Sequence, residues 1–265
     1  MRRCRMPRFL LAAGLATWAA AGVLPGTATA EQAQSGNLVL TLRGDVSPHR
    51  LPRRGSVPAT ASLYSRLTTT DGTPVPGVRR IEVQLGAAAV LDPHGSPACP
   101  LARLRNASGR DALARCREAL VGRGQMPLEV RLPRQRALRR DPPVLLFNGR
   151  GSDGGRGLWA LVSVVQPPVS FVLPFHFRGR AGSFATTLVA AVPRSIGRWA
   201  RVRGFEIDLG RPPHRVDRSR SYLSASCPVP RPFTAGFLPV ARTTYFFVGH
   251  RRLSEAIVRS CKVAR

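Results

Sequence analysis

The clearest pattern along the chain is an alternation of apolar and polar side chains. In "PVSFVLPFHFR", Val169, Phe171, Leu173, Phe175 and Phe177 alternate with Ser170, Val172, Pro174, His176 and Arg178. A period of two puts those five apolar side chains on one face of a strand. Leu38, Leu40 and Leu42 repeat the pattern, as do Leu128, Val130 and Leu132, and further strands are predicted over 60–68, 144–147, 158–165, 183–192, 222–226 and 243–248. Runs such as "TTTDGTPVPG" and "GRGSDGGRG" supply the turns between them. One helix is predicted, over 110–121, where Leu113, Cys116, Ala119 and Leu120 share a face. The fold class that follows is all-β: an antiparallel β-sandwich with one short helix.

Two of the amphipathic phrases resemble each other. "RRIEVQLG" at 79–86 and "VRGFEIDLG" at 202–210 both carry alternating apolar residues around a central glutamate, and Ile81 and Phe205 lie 124 positions apart. Before each comes Leu-Pro, then Gly-Ser, Ala-Thr and a leucine; after each comes Cys-Pro, at Cys99 and Cys227. "LVGRGQMPLEV" from Leu120 and "FLPVARTTYFF" from Phe237 follow in comparable places. Any two amphipathic strands behind small polar turns share some of this grammar, but landmarks in one order favour an internal duplication. The expected division is 1–30 as a leader, 31–143 as one half and 144–265 as a similar tandem half, with the arginine-rich 131–143 as a linker.

The leader rests on three features of the first residues. Arg2, Arg3, Arg5 and Arg8 precede an apolar run of 16 residues from Phe9 to Leu24, and Ala28-Thr29-Ala30 follows. A basic start, a short apolar centre and small residues at the end make a secretory signal peptide. The run is short of the roughly 20 residues a membrane span needs, so no transmembrane segment is expected after cleavage. The protein is read as secreted or extracytoplasmic. Cys99, Cys116, Cys227 and Cys261 then form two disulfides in an oxidising compartment. Three connectivities are possible, and Cys99 with Cys116 and Cys227 with Cys261 closes the shortest loops. No pair has the spacing of a zinc site, and no metal or cofactor is implied.

Charge changes the picture of partners. The chain has 41 Lys and Arg against 14 Asp and Glu, a formal net charge of +27, and Lys262 is its sole lysine. Guanidinium groups pair with phosphate and carboxylate, so an anionic cell-envelope polymer is the candidate partner. A GC-rich coding bias also raises arginine without any ligand. The densest cluster, Arg131, Arg134, Arg136, Arg139 and Arg140, is the candidate polyanion surface. Aromatics are few and lie mostly on the apolar faces, so sequence-specific nucleic-acid recognition is not expected.

Catalytic signals are weak. Glu82 and Glu206 occupy matching places in the two repeated phrases and are a candidate acid and base pair if the halves face each other. "HRVDRSRSYLSAS" brings His214, Asp217 and serines close in sequence without a nucleophile turn. "NGRGSDGG" from Asn148 lacks the calcium-loop and phosphate-loop patterns, and Asn106-Ala107-Ser108 matches a glycosylation sequon. "LLFNGR", "SYLSASCP" and the terminal "RSCKVAR" resemble a set of secreted proteins of unknown function from high-GC actinobacteria. That resemblance implies export and a disulfide-bearing architecture and carries no activity. The reading is a noncatalytic secreted or envelope-associated β module that binds or supports; the alternative is a secreted polysaccharide hydrolase using Glu82 and Glu206.

Overall fold

A computed structural model describes residues 30–166, 168–179, 182–210 and 221–264. The chain opens with β1 (Glu31–Ser35), β2 (Leu38–Ser47), β3 (Arg50–Leu51), β4 (Val57–Pro58), β5 (Thr60–Thr69), β6 (Val78–Gly86), β7 (Ala89–Leu91) and β8 (Cys99–Pro100). A helical insert, α1 (Leu101–Leu104) and α2 (Gly109–Cys116), leads to β9 (Leu120–Gln125), β10 (Leu128–Val130), β11 (Leu138–Arg140), β12 (Pro143–Arg150) and β13 (Arg156–Val164). Then come β14 (Val169–Gly179), β15 (Phe184–Ala191), α3 (Arg194–Trp199), β16 (Ala200–Val202), β17 (Gly204–Leu209), β18 (Leu223–Ala225), β19 (Ala235–Phe247) and β20 (Arg252–Val263). The protein is all-β and predominantly antiparallel, as the alternation predicts.

The principal sheet runs β1-β2-β5-β17-β9-β12-β13-β14-β15-β6-β19-β20-β3, with β8 added beside β12. Two runs of five strands flank β13 in it. The first is β2-β5-β17-β9-β12, the second β14-β15-β6-β19-β20. Each takes its middle strand from elsewhere in the chain: β17 pairs with β5 and β9, and β6 pairs with β15 and β19. The 143/144 boundary falls at the start of β12, which is laddered to β9.

The sheet curls until β20 lies against β1 and β2. Among the described residues no backbone ladder joins them; side chains close the seam. Arg259 donates from Nε to the Gly44 carbonyl at 2.9 Å and pairs with Glu31, while Arg251 donates to the Ser35 carbonyl at 2.8 Å. The curl buries one core shared by both runs, with Leu40, Leu42, Leu67, Ile81, Val162, Leu173, Tyr245 and Ile257 among its members. Tyr245 and Ser65 satisfy each other inside it, oxygen to oxygen at 2.7 Å. Small sheets stand beside the principal one, β11-β10-β16 and β4-β18-β7.

Glycines permit the tight bends. A Cβ on Gly124 would sit 1.9 Å from the Glu206 carbonyl oxygen, so any side chain there would push β9 away from β17. Outside the curl, the helical insert buries Leu104, Ala112 and Cys116 against Phe147, Trp159 and Leu161.

Three helices are described instead of one, and the predicted helix over 110–121 is shorter. α2 begins at a capping box, with Ser108 Oγ accepting from the Asp111 amide at 3.2 Å and Asp111 accepting from the Ser108 amide at 3.3 Å. It ends at Cys116. Leu120 and Val121 are drawn into β9, where pairing with β12 and β17 overrides their helical spacing. The 131–143 stretch is likewise no free linker, because 138–140 forms β11 and pairs with β10. No helix among the described residues is long and apolar enough to cross a membrane.

Candidate functional site

The arginines collect around one carboxylate. Leu128 and Val130 of β10 are buried, so Glu129 between them faces outward. It stands opposite Arg139 of β11 on one side and Arg201 of β16 on the other, a row of plus, minus, plus across three strands. Arg131 adds a third cation, with Nε 2.8 Å from Glu129 Oε1. Arg201 also donates to the Val75 carbonyl at 2.8 Å.

Arg203 and Arg66 extend the cluster toward the principal sheet. Burial lowers the pKa of Arg203, and Arg139 and Arg66 lower it further; Glu129 and Asp141 act the other way. Arg201 is lowered in the same manner, first by burial and then by Arg131. Both guanidiniums stay charged at neutral pH, and the shifts record burial first and repulsion between neighbouring cations second. The Arg203 Nε is buried without a hydrogen-bond partner. Beyond it, the guanidiniums of Arg43 and Arg66 lie 5.6 and 5.7 Å from the centre of the Tyr64 ring, and Arg66 also donates to the Tyr64 hydroxyl.

Of the five arginines singled out in the sequence, Arg131 and Arg139 belong to this cluster. Arg134 and Arg136 are exposed on the connection between β10 and β11. Arg140 stands opposite Leu128, on the other face from Arg139, and donates to the Arg139 carbonyl at 3.0 Å. Sequence reasoning missed Arg43, Tyr64, Arg66, Arg201 and Arg203. "ARVRG" does carry a local sign, since buried Ala200 and Val202 alternate with the two arginines. Nothing local says that β16 pairs with β10.

Glu82 and Glu206 are not brought together. Ile81 and Val83 flank the first and Phe205 the second, and all three point into the shared core. The carboxylates therefore leave opposite walls of the curl on its outer side, and Glu82 pairs with Arg80 at 3.3 Å. Asn148 is buried and its Nδ2 lies 2.9 to 3.0 Å from the carbonyls of Pro93, Ser96 and Pro97, an anchor for that loop. Asp153 accepts from the Gly155 amide at 3.0 Å and organises its own turn. Ser108 of the sequon is the α2 cap. His176 is exposed and meets Trp159 edge-on at 5.5 Å between ring centres. His214 and Asp217 lie outside the described residues.

The disulfides have the local connectivity. Cys99–Cys116 ties the helical insert to β8, and Cys227–Cys261 ties the segment after β18 to β20. No family model, curated protein or solved structure matches the chain. Its functional reading rests on its own geometry.

Proposed function

We infer that the protein is a noncatalytic, secreted or envelope-associated binding module that holds an anionic polymer against the face formed by Arg66, Arg131, Arg139, Arg201 and Arg203. The observation that carries this reading is convergence. Three segments distant in sequence deliver five guanidiniums to the neighbourhood of Glu129, and two of those groups have pKa values lowered by burial and by like charge. A fold has no reason to crowd cations unless something opposes the repulsion, and a polyanion does so while gaining bidentate hydrogen bonds. Tyr64 offers a flat ring beside the same face. The leader read from the sequence and the two disulfides suit an exported protein.

The architecture in this reading is a pseudo-symmetric sandwich of two similar halves that exchange a strand. The chain order β2, β5, β6, β9, β12 answers to β14, β15, β17, β19, β20, and the sheet orders of the two runs correspond position for position once β6 and β17 change places. The two repeated phrases are the exchanged strands.

Retention on immobilised heparin or teichoic acid across a salt series tests the binding face. The triple variant Arg66→Gln, Arg139→Gln, Arg203→Gln is expected to elute at lower salt, with the slope of log affinity against log salt shallower by about 2 to 3. The control Arg103→Gln, Arg105→Gln, Arg110→Gln changes the helical insert by the same charge and is expected to elute close to the parent. Equal losses in the two triples would reduce the effect to net charge and sink the site.

A further inference from the structure

Two phenylalanines stand in water where β19 begins. Phe233 is 62% exposed and Phe237 80%, whereas Phe147, Phe171, Phe205 and Phe247 are buried. The alternation of β19 puts them there. Leu238 packs beside the Cys227–Cys261 disulfide, and a Cβ on Gly236 would meet Val229 at 2.3 Å, so those two positions face inward and Phe237 and Pro239 face out. Across the ladder Phe237 stands opposite Ser260, and Pro239 stands opposite Val258, which is exposed as well. The frame is braced. The disulfide ties the segment before β19 to β20, Arg53 donates to the Phe233 carbonyl at 2.7 Å and to that of Val229, and the Val263 amide donates to the Thr234 carbonyl at 2.8 Å. The rings are held out by packed structure and are not the exposed end of a fraying chain.

The charges around the rings have one sign. Leu253, Ile257 and Cys261 of β20 are buried, so its outward positions are Arg252, Ser254, Ala256, Val258, Ser260 and Lys262, with no acid among them. Lys262 stands between Ala235 of β19 and Arg50 of β3, and Arg231 lies two residues before Phe233; all three cations are exposed. A second copy docked here about a two-fold axis would bring Arg50 and Lys262 up against their own equivalents. An anionic bilayer has no such conflict. Its headgroup boundary takes protruding rings without a matching pocket, and its phosphates take the cations.

We propose that this end of the β19–β20 hairpin is a docking face for an anionic phospholipid bilayer, with Phe233 and Phe237 entering the headgroup boundary and Arg50, Arg231 and Lys262 meeting lipid phosphates. Attachment is peripheral, because two rings and a few cations supply one apolar and one electrostatic signal and no strand enters the hydrocarbon. The face belongs to the second run, whereas the arginine cluster around Glu129 stands beside the first. Each can therefore be removed without the other.

The test is co-sedimentation of the full mature protein with vesicles of phosphatidylcholine containing one part in four of phosphatidylglycerol, and with vesicles of phosphatidylcholine alone. Binding to the mixed vesicles is expected, with about tenfold weaker binding to the neutral ones. Phe233→Ala and Phe237→Ala are each expected to weaken it about fivefold, and Arg50→Gln with Lys262→Gln about tenfold. Phe237→Trp is expected to shift its indole emission to the blue on the mixed vesicles and to be quenched by lipid brominated on the acyl chain. Retention on heparin is expected to be the same in Phe237→Ala as in the parent, so loss of vesicle binding alone leaves the polymer-binding reading standing. No sedimentation with mixed vesicles, equal sedimentation of Phe237→Ala and parent, or an unquenched indole would overturn the proposal. So would a loss confined to the Arg66, Arg139, Arg203 triple, which gives the lipid to that face, or a dimer abolished by Phe237→Ala, which gives the rings to a second copy.

Discussion

The two five-strand runs that flank β13 in the sheet have different outer faces. On the second run the arginines are already occupied: Arg80 lies 3.7 Å from the Phe246 ring centre and Arg242 lies 4.4 Å from that of Phe184, over a belt in which Thr187, Gln84 and Thr244 are buried. Beside the first run, Arg66, Arg139, Arg201 and Arg203 crowd one another around Glu129. The same residue type covers an aromatic ring in one place and joins a crowd of like charges in the other. Arginine content is therefore a poor measure of affinity, and the neighbours of each guanidinium decide its role.

The disulfides differ between the runs as well. Cys227–Cys261 spans 34 residues and pins β20, the strand that closes the seam; Cys99–Cys116 spans 17 and pins an insert that lies outside the sheet. On the chain-entropy account they contribute about 3.8 and 3.1 kcal/mol. Structural position widens that gap, because losing the first frees a strand of the core and losing the second frees a cover. Double Cys→Ser variants unfolded in urea are expected to rank in that order, with the Cys227 and Cys261 pair largest. The reverse order would mean that the insert, not the seam, limits stability.

β6 and β17 should be equally sensitive if they occupy the equivalent places proposed for them. β17 is seated against Gly124, and β6 ends in Gly86, whose added Cβ would lie 1.7 Å from the Pro239 carbonyl oxygen. Gly124→Ala and Gly86→Ala each force a backbone shift and are expected to cost about 3 kcal/mol. A large effect at one site and none at the other would break the correspondence of the runs. Urea midpoints at constant slope measure it.

The strands were partly legible. The phrases at 79–86 and 202–210 fall on β6 and β17, and the alternation at 169–178 gives β14 its faces. What could not be read was which strands neighbour each other, because β17 reaches β5 across more than half of the chain and β9 across about a third of it. The first two residues of β9 read as the end of a helix, since Leu113, Cys116 and Leu120 fit a helical period and only pairing with β12 reveals the strand. β20 went unnoticed because Glu255 and Arg259 interrupt its alternation of Leu253, Ile257 and Cys261; Arg259 belongs to the seam. The site suffered the same way. Arg131 and Arg139 were visible as a cluster in sequence, whereas Arg66, Arg201 and Arg203 join them through sheet pairing alone.

A smaller effect separates the insert from the sheet it covers. The Trp159 indole N–H donates to the Cys99 carbonyl at 3.1 Å, and the second run has no such tie among its described residues. Trp159→Phe keeps the ring packing and leaves that buried carbonyl unpaired, for an expected loss of about 2 kcal/mol. Hydrogen exchange should rise across α1 and α2 and stay unchanged in β19 and β20. Uniform loosening would show that the insert is part of the core.

The segments that deliver β6 and β17 provide the last contrast. β17 is reached through α3 and β16, but β6 is reached through a short turn after β5, held by Asp71. Its carboxylate accepts from the Thr73 amide at 3.0 Å, the Thr73 hydroxyl at 2.6 Å and the Asn37 side-chain amide at 2.9 Å. These bonds, Thr73 foremost, hold the carboxyl at about 2 against an ordinary 3.8. The unfolded chain therefore binds more protons than the folded one between those values. The contribution is complete above the unfolded pKa and is lost as pH falls toward 2. Asp71 is fully exposed, so the effect is a slope and not a collapse. Between pH 4 and pH 2 the parent's urea midpoint is expected to fall more steeply than that of Asp71→Asn, which keeps an acceptor but cannot titrate. Parallel slopes would leave the turn outside the acid response.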